Sequence, residues 1–166
     1  MYQLSTATRL GYMRAISSGS GLKQLEWQQT PFDKPDMPDH VSRETISQLK
    51  AYLDSQLEQF SIPLDLAHLS TKLEGWLTTL QTIPYGQTVT YADFAEKWGN
   101  RKAARAAGDA CRRNPIPIII PCHRVLKSDG SFDNYSGGDN THPSDPENIK
   151  RKQWLIQMEA KNISSL

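Results

Sequence analysis

The pattern of apolar and polar positions changes near residue 67. Before that point, short apolar runs predict three strands, over residues 2–8, 10–18 and 21–28. Residues 42–57 carry isoleucine and leucine at helical spacing and predict one helix. We therefore predict a small α/β module over residues 1–66. No cluster of catalytic side chains stands out in it, so we expect it to have a supporting role.

After residue 67 the apolar spacing becomes helical. It predicts four helices, which run from Thr71 to Ile83, from Tyr91 to Trp98, from Arg101 to Arg113 and from Asp145 to Glu159. Thr71, with an acid three residues later, and Thr90 are predicted to cap the first two. The second and third predicted helices are joined by Gly99 and Asn100, which is a helix-turn-helix pattern. The third is rich in alanine and edged with arginine, so it could approach DNA closely while its arginines reach phosphates. An ordinary helical hairpin with a solvated basic face remains the alternative.

Before the last predicted helix, four isoleucines interrupted by prolines lead into Pro121, Cys122 and His123. Isoleucine runs favour a short, buried extended segment, and Pro121 forces the chain to change direction. Such a segment would present the thiol from a rigid element. A cysteine beside a histidine can be a nucleophile and its base, but a free cysteine is more often buried and inert. Downstream, residues 134–138 combine tyrosine and serine hydroxyls with two glycines, which is a weak indication alone.

Composition narrows the function classes. The chain has 166 residues, 37% of them hydrophobic and 22% charged, which suits a soluble globular protein. It has no bilayer-spanning apolar stretch and no signal-peptide pattern, so we expect a cytoplasmic protein without a membrane partner. Two cysteines without a CxxC motif indicate free thiols, and no histidine spacing suggests a ligand set, so we expect neither metal nor cofactor. The net charge is +1, yet residues 97–127 hold eight basic residues and one acid. This basic segment is either a solvated face or a site that binds a polyanion.

Six motifs, in this order, closely resemble one family, the O6-alkylguanine-DNA alkyltransferases, also called methylated-DNA–protein-cysteine methyltransferases. They lie within residues 73–159 and comprise Pro84-Tyr85-Gly86 with Thr90-Tyr91, Ala103-Ala104-Arg105-Ala106, Asn114-Pro115, Pro121-Cys122-His123-Arg124-Val125, Asn134-Tyr135-Ser136-Gly137-Gly138, and Trp154-Leu155 with Glu159. Each motif is weak alone, and together they are specific. The resemblance implies an α+β fold. A small ribonuclease-H-like α/β N-terminal domain, residues 1–66, would precede a winged-helix-like (helix-turn-helix) C-terminal domain, residues 67–166.

The resemblance implies direct DNA repair. O6-alkylguanine, with O4-alkylthymine as a further candidate, would be flipped out of duplex DNA, and its alkyl group would pass irreversibly to the Cys122 thiolate. A soft thiolate suits displacement at a saturated carbon. The partner would be double-stranded DNA bound through its minor groove by a monomer that acts once. Two alternatives remain: a non-catalytic lesion-binding protein, which the presence of Cys122 disfavours, and a helix-turn-helix regulator, which leaves the Pro-Cys-His segment unexplained.

The resemblance also implies roles for individual residues. His123 would take the proton of Cys122 through a water, and Glu159 would orient His123. Asn114 would fix the turn that presents the thiol, and Tyr91 would donate a proton to the leaving guanine. The residues that would bind the flipped base are Tyr135, Ser136, Gly137 and the backbone of Val125. The residues that would contact DNA are Thr90, Ala104, Arg112, Arg101 and Arg105, the last of which would replace the extruded base in the stack.

Three features depart from the family pattern. Asp109 and Arg113 stand in the DNA-facing helix where the family usually has glycine. A carboxylate near phosphates should weaken DNA binding, and Arg113 would compensate for it. Cys111 stands where a hydrophobic residue is common, and we expect it to be a small apolar filler rather than a second acceptor. Residues 139–151 form a longer link than usual before the last helix.

Overall fold

The computed structural model describes residues 1–131, 135 and 144–164. The chain divides into two compact units, Met1–His68 and Leu69–Leu166. In chain order the elements are β1 Tyr2–Thr8, β2 Gly11–Ser17, β3 Leu22–Gln28, α1 His40–Leu53, α2 Thr71–Leu80, β4 Val89–Thr90, α3 Tyr91–Trp98, α4 Ala104–Arg112, β5 Val125–Leu126 and α5 Pro146–Ser164. Short 3-10 turns occupy Arg101–Ala103 and Cys122–Arg124. The predicted α+β class is confirmed.

The first unit is a three-stranded antiparallel sheet with one helix packed against it. The strands pair in the order β1-β2-β3, and the three predicted strands are confirmed. Side chains alternate along β2, so that Met13, Ala15 and Ser17 are buried while their neighbours are partly exposed. Helix α1 packs against β1 and β2, and its Leu49 and Tyr52 are fully inaccessible to solvent. This unit therefore closes its own core.

Helix α1 begins and ends at polar signals. The Asp39 carboxylate accepts a hydrogen bond from the Ser42 backbone N–H at 2.8 Å, and the Ser42 hydroxyl oxygen accepts one from the Asp39 N–H at 2.9 Å. This reciprocal capping box starts the helix two residues earlier than predicted. The predicted end at residue 57 is wrong, because Ser55 adopts a left-handed φ of 60°, which an α-helix cannot continue through.

In the second unit, α2 supports the helix-turn-helix. Its cap is Ser70, whose hydroxyl accepts the Leu73 N–H at 3.2 Å, so the predicted cap Thr71 is wrong and is instead the first helical residue. Trp76 on α2 stacks on Trp98 at the end of α3, with ring centroids 4.1 Å apart and nearly parallel planes. This aromatic contact fixes the direction in which α3 leaves the core.

The predicted helix-turn-helix corresponds to α3 and α4. The Thr90 hydroxyl accepts the Asp93 N–H at 3.1 Å and so caps α3, as the sequence predicts. Gly99 ends α3 at a φ of 133°, and the Asn100 side chain then accepts the Lys102 N–H at 3.0 Å. The predicted third helix, from Arg101 to Arg113, is therefore a 3-10 turn followed by a shorter α4. Small side chains at the buried positions of α4 let it lie close to the core.

A short parallel pairing and the last helix complete the unit. Strand β4 pairs with β5, which aligns Val89 with Val125 and brings the start of α3 beside the chain that follows Cys122. Helix α5 runs five residues beyond its predicted end and contacts the Cys122–Arg124 turn. No helix in the described ranges is both long and apolar enough to cross a membrane.

Candidate active site

The segment before Cys122 is a closed turn. Ile116, Ile118 and Ile120 are buried as predicted, but the predicted extended conformation is wrong, since the Ile120 N–H binds the Ile116 carbonyl at 2.9 Å. Ile118 takes a left-handed φ of 72°, which costs a β-branched residue about 1–3 kcal/mol. Asn114 closes the turn, as its side chain accepts the Ile116 N–H at 3.0 Å and donates to the Ile120 carbonyl at 2.8 Å. Two polar bonds inside an apolar shell hold the turn in place.

Cys122 follows this turn and starts the 3-10 turn. Its N–H donates to the Ile120 carbonyl at 2.9 Å, and its carbonyl accepts the Val125 N–H. The side chain is only 3% exposed. Burial raises the pKa of the Cys122 thiol above its usual value, while a hydrogen bond from Asn114 and the charge of Lys152 oppose that rise without cancelling it. The resting thiol is therefore protonated at neutral pH.

A cavity of about 1330 Å³ opens beside the thiol and gathers many of the predicted site residues. Those that line it are Tyr91, Ala104, Arg105, Arg112, Cys122 and Tyr135. Lys102, Cys111 and Lys127 also line it, although the sequence prediction did not include them. Tyr135 is buried, and that burial raises the pKa of its hydroxyl well above the usual value.

The remaining predicted residues lie elsewhere. His123, Glu159, Asn114 and Val125 are buried behind the cavity wall. Thr90 and Arg101 do not line the cavity: the Thr90 hydroxyl caps α3, and Arg101 is bound by Asp93 and Glu96. Ser136 and Gly137 lie outside the described residues.

Behind Cys122, a histidine, a carboxylate and an arginine form one hydrogen-bonded cluster. His123 Nε2 lies 2.8 Å from Glu159 Oε2. Arg124 donates to both oxygens of the same carboxylate, at 2.9 Å from Nε and 3.0 Å from Nη2. The Gly86 N–H adds a fourth bond, to Oε1, at 3.0 Å. Arg124 also donates from Nη1 to the Ile83 carbonyl at 2.7 Å, which ties the cluster to the turn after α2.

These contacts set the charges of the cluster. Burial alone would raise the pKa of Glu159, but the bonds and charges of His123 and Arg124 outweigh it and hold that pKa well below its usual range. Burial, with the positive charges of Arg124 and Lys152, lowers the pKa of His123 despite its bond to Glu159. At neutral pH the cluster is thus an anionic carboxylate that accepts a hydrogen bond from the Nε2–H of a neutral imidazole, whose Nδ1 then carries the basic lone pair.

Two residues of this region were missed by the sequence prediction. Arg124 belongs to the Pro-Cys-His-Arg motif, yet no role was predicted for it. Lys152 on α5 is 1% exposed, and its ammonium group lies 5.9 Å from the Tyr91 ring centroid. Its charge reaches Cys122. Lys152 and Glu159 are seven residues apart, which places them on one face of a helix, and that spacing could have identified Lys152.

Cys111 is the second buried thiol. Burial raises the pKa of Cys111 well above its usual value, and the nearby Cys122 raises it further against the opposing charge of Lys152. A thiol held protonated is a poor nucleophile. No group of three or more histidine, cysteine, aspartate or glutamate side chains suited to a metal ion occurs in the part of the chain that the structure describes.

Comparison with known proteins decides the family. Residues 74–161, more than half of the chain, match the family model described as 6-O-methylguanine DNA methyltransferase, DNA binding domain. The chain belongs to this family. The family predicted from the sequence motifs is therefore confirmed.

Relatives of this methyltransferase family cover the chain to different extents. The methylated-DNA–protein-cysteine methyltransferase of Mycobacterium leprae is 42% identical over 120 residues, which are 72% of this chain and 66% of that protein. For the Mycolicibacterium paratuberculosis protein of the same name, the matched part is 64% of its length. The Methanosarcina acetivorans protein of that name is 35% identical over 96% of this chain and 98% of its own length. The predicted enzyme class agrees with these names.

Solved structures of the family support the fold over nearly the whole chain. The crystal structure of Mycobacterium tuberculosis O6-methylguanine methyltransferase has a TM-score of 0.80 and 31% identity, covering 97% of this chain and 93% of that one. The structure of the same organism's protein in complex with DNA has a TM-score of 0.78 and 29% identity, with coverage of 98% and 94%.

Proposed function

We propose that this methyltransferase-family protein repairs DNA by transferring the alkyl group of O6-alkylguanine to Cys122. The observation that carries the proposal is the site around that thiol. A buried cysteine faces a cavity, the His123–Glu159–Arg124 cluster lies behind it, and an arginine-edged helix lies at the rim. The names of the relatives and the DNA complex of the M. tuberculosis protein support this reaction.

Activation begins with the proton of the thiol. His123 is neutral and donates Nε2–H to Glu159, so Nδ1 accepts the Cys122 proton, through a water because neighbouring side chains cannot easily face each other. The imidazolium that forms is stabilised by the anionic Glu159. The thiolate is stabilised by the charge of Lys152 and a hydrogen bond from Asn114. Proton transfer thus overcomes the burial that keeps the resting thiol neutral.

Displacement follows at the saturated carbon of the adduct. A bond forms between that carbon and the Cys122 sulfur, and the bond from carbon to guanine O6 breaks with its electron pair remaining on guanine. The Tyr91 hydroxyl, on the cavity wall, donates the proton that neutralises the leaving base. The product is a stable thioether, so the protein acts once. O4-alkylthymine is a second candidate substrate of the same chemistry.

DNA delivers the base to this cavity. Helix α4 docks in the minor groove, its alanines allow close approach, and Arg105 enters the stack in place of the flipped nucleotide. Contacts to the strand come from Thr90, Arg101, Ala104 and Arg112, and Arg101 must first leave its carboxylate partners. Tyr135, Ser136, Gly137 and the backbone of Val125 hold the base. The protein binds double-stranded DNA as a monomer in the cytoplasm, where a reducing medium keeps its thiols free.

The test uses duplex DNA that carries O6-methylguanine with a radiolabelled methyl group. The label should appear on the peptide that contains Cys122 and be absent from the peptide that contains Cys111. In the Cys122→Ala variant, DNA binding should remain and transfer should cease. Lesion binding without transfer by the reduced native protein would support the non-catalytic lesion-binding alternative. Label on Cys111 would refute the assignment of the acceptor.

A further inference from the structure

The docking face of α4 carries an acid between two arginines. Arg105, Asp109 and Arg112 are spaced by four and three residues, so they lie along one stripe of the helix. All three line the cavity. The opposite face of α4 is buried through Ala107 and Ala110. The stripe that would meet DNA therefore includes a carboxylate at its centre.

Asp109 binds the neighbouring arginines of its own helix. Its Oδ1 accepts a hydrogen bond from Arg112 Nη2 at 2.7 Å, and its Oδ2 lies 3.7 Å from Arg113 Nη1. The side chains of this cluster are about half exposed, so DNA can reach them. Arg105, by contrast, forms no ion pair with any other residue that the structure describes. The arginine proposed to enter the base stack is therefore the one not held by Asp109.

Exposed ion pairs of this kind contribute little to stability, so the fold does not depend on them. Their effect on DNA binding is larger, because each arginine that stays with Asp109 neutralises no phosphate. A neutralised phosphate contributes about −0.9 to the slope of log K against log salt, so each one raises the affinity about eightfold when the salt falls from about 1 M to about 0.1 M. The Asp109 charge also repels the phosphates beside it.

We infer that Asp109 lowers the affinity of this protein for duplex DNA by competing with phosphates for Arg112 and Arg113. The inference rests on the proposed DNA-repair function. A protein that acts once must search a large excess of undamaged duplex before it reaches a lesion. Weak electrostatic binding shortens each stay on undamaged DNA, while capture of a lesion depends on the cavity and on irreversible transfer. Asp109 thus favours a rapid search for lesions over tight binding to undamaged DNA.

The experiment compares the native protein with Asp109→Asn, which keeps the size and one side-chain oxygen but removes the charge. The dissociation constant for an undamaged duplex at 0.1 M salt should fall about three- to tenfold, and the salt slope should steepen by about 0.9 for each further phosphate that Arg112 or Arg113 neutralises. The matched control is Asp54→Asn, which makes the same change of charge. Asp54 is exposed, lies 3.8 Å from Arg9 and is far outside the matched residues 74–161.

A second readout follows repair itself. With an excess of undamaged competitor duplex, Asp109→Asn should repair lesion DNA more slowly than the native protein, since more of it is bound elsewhere. Unchanged or weaker binding by Asp109→Asn, or an equal change in Asp54→Asn, overturns the inference. The proposed function is tested apart from this, because it requires the native protein to bind duplex DNA and Arg105→Ala to bind lesion DNA more weakly. Unfolding midpoints confirm that each variant is folded.

Discussion

Glutamine in place of Glu159 would remove the charge that four donors share. The carboxylate accepts hydrogen bonds from the Gly86 N–H, from two nitrogens of Arg124 and from His123 Nε2, at 2.8 to 3.0 Å. A glutamine side chain has one acceptor oxygen and one NH₂ group. Whichever way the amide turns, its NH₂ faces two donors: Gly86 with Arg124 Nε, or His123 with Arg124 Nη2. Glu159→Gln is therefore not a conservative change here.

The orientation that places the NH₂ beside His123 costs less, because the imidazole can move its proton to Nδ1 and accept at Nε2. Arg124 is then a buried cation without its anion, and breaking a buried pair in this way costs about 3–5 kcal/mol. The shifted tautomer also protonates the nitrogen that would accept the thiol proton. Losing a general base lowers rates by about 10²- to 10⁴-fold, and we expect alkyl transfer to fall within that range.

Urea unfolding gives the free energy of unfolding, and single-turnover transfer from a labelled O6-methylguanine duplex gives the rate. The control is Glu147→Gln on the same helix, where the exposed carboxylate pairs with the exposed Lys150 at 3.2 Å. We expect that control to change stability by no more than about 0.5 kcal/mol. If Glu159→Gln matches Glu147→Gln in both stability and rate, the account of the buried cluster is wrong.

Three further changes have defined outcomes. Gly86→Ala should destabilise the protein by about 1–3 kcal/mol in urea, because φ is 78° there and the added methyl meets α5, whereas Gly75→Ala within α2 should not destabilise it. The rate of alkyl transfer should fall at acid pH only below the usual histidine pKa of 6.5, because burial lowers the pKa of His123. The rate should rise at alkaline pH, because the pKa of Cys122 is raised. A loss of activity that sets in at or above pH 6.5 would contradict this. Lys152→Met should slow transfer about tenfold at neutral pH and shift the alkaline rise of the rate to higher pH. The loss of a purely structural lysine would not cause that shift.

Local signals predicted much of the fold. The alternating strands pair within one sheet, and α3 starts directly after Thr90 because a hydroxyl one residue before a helix can satisfy a free N–H. Gly99 ends that helix because glycine adopts the required positive φ without strain. The same signals misplaced the cap of α2, since Ser70 and Thr71 are equally suited in sequence and the geometry of the preceding chain selects Ser70.

Distant contacts account for what the sequence did not predict. Isoleucine propensity indicated an extended segment before Cys122, but the Asn114 amide binds both ends of that segment and closes it into a turn. The role of Arg124 comes from its hydrogen bonds to Glu159, which lies 35 residues away in sequence. Lysine is a residue type found mostly at the surface, yet α5 turns Lys152 inward beside Cys122 and Tyr91. Such pairings follow from packing, which a single sequence does not display.

The Glu159 carboxylate also determines when the site is assembled. It binds the backbone 73 residues earlier at Gly86 and the side chain 36 residues earlier at His123. Because synthesis proceeds from the N-terminus, the thiol and α4 leave the ribosome before the helix that orders the imidazole. A nascent or truncated chain that lacks α5 carries Cys122 and His123 without the carboxylate that orients the imidazole. Under the proposed single-turnover reaction, this order of assembly would keep an incomplete chain from losing its acceptor thiol before it has folded.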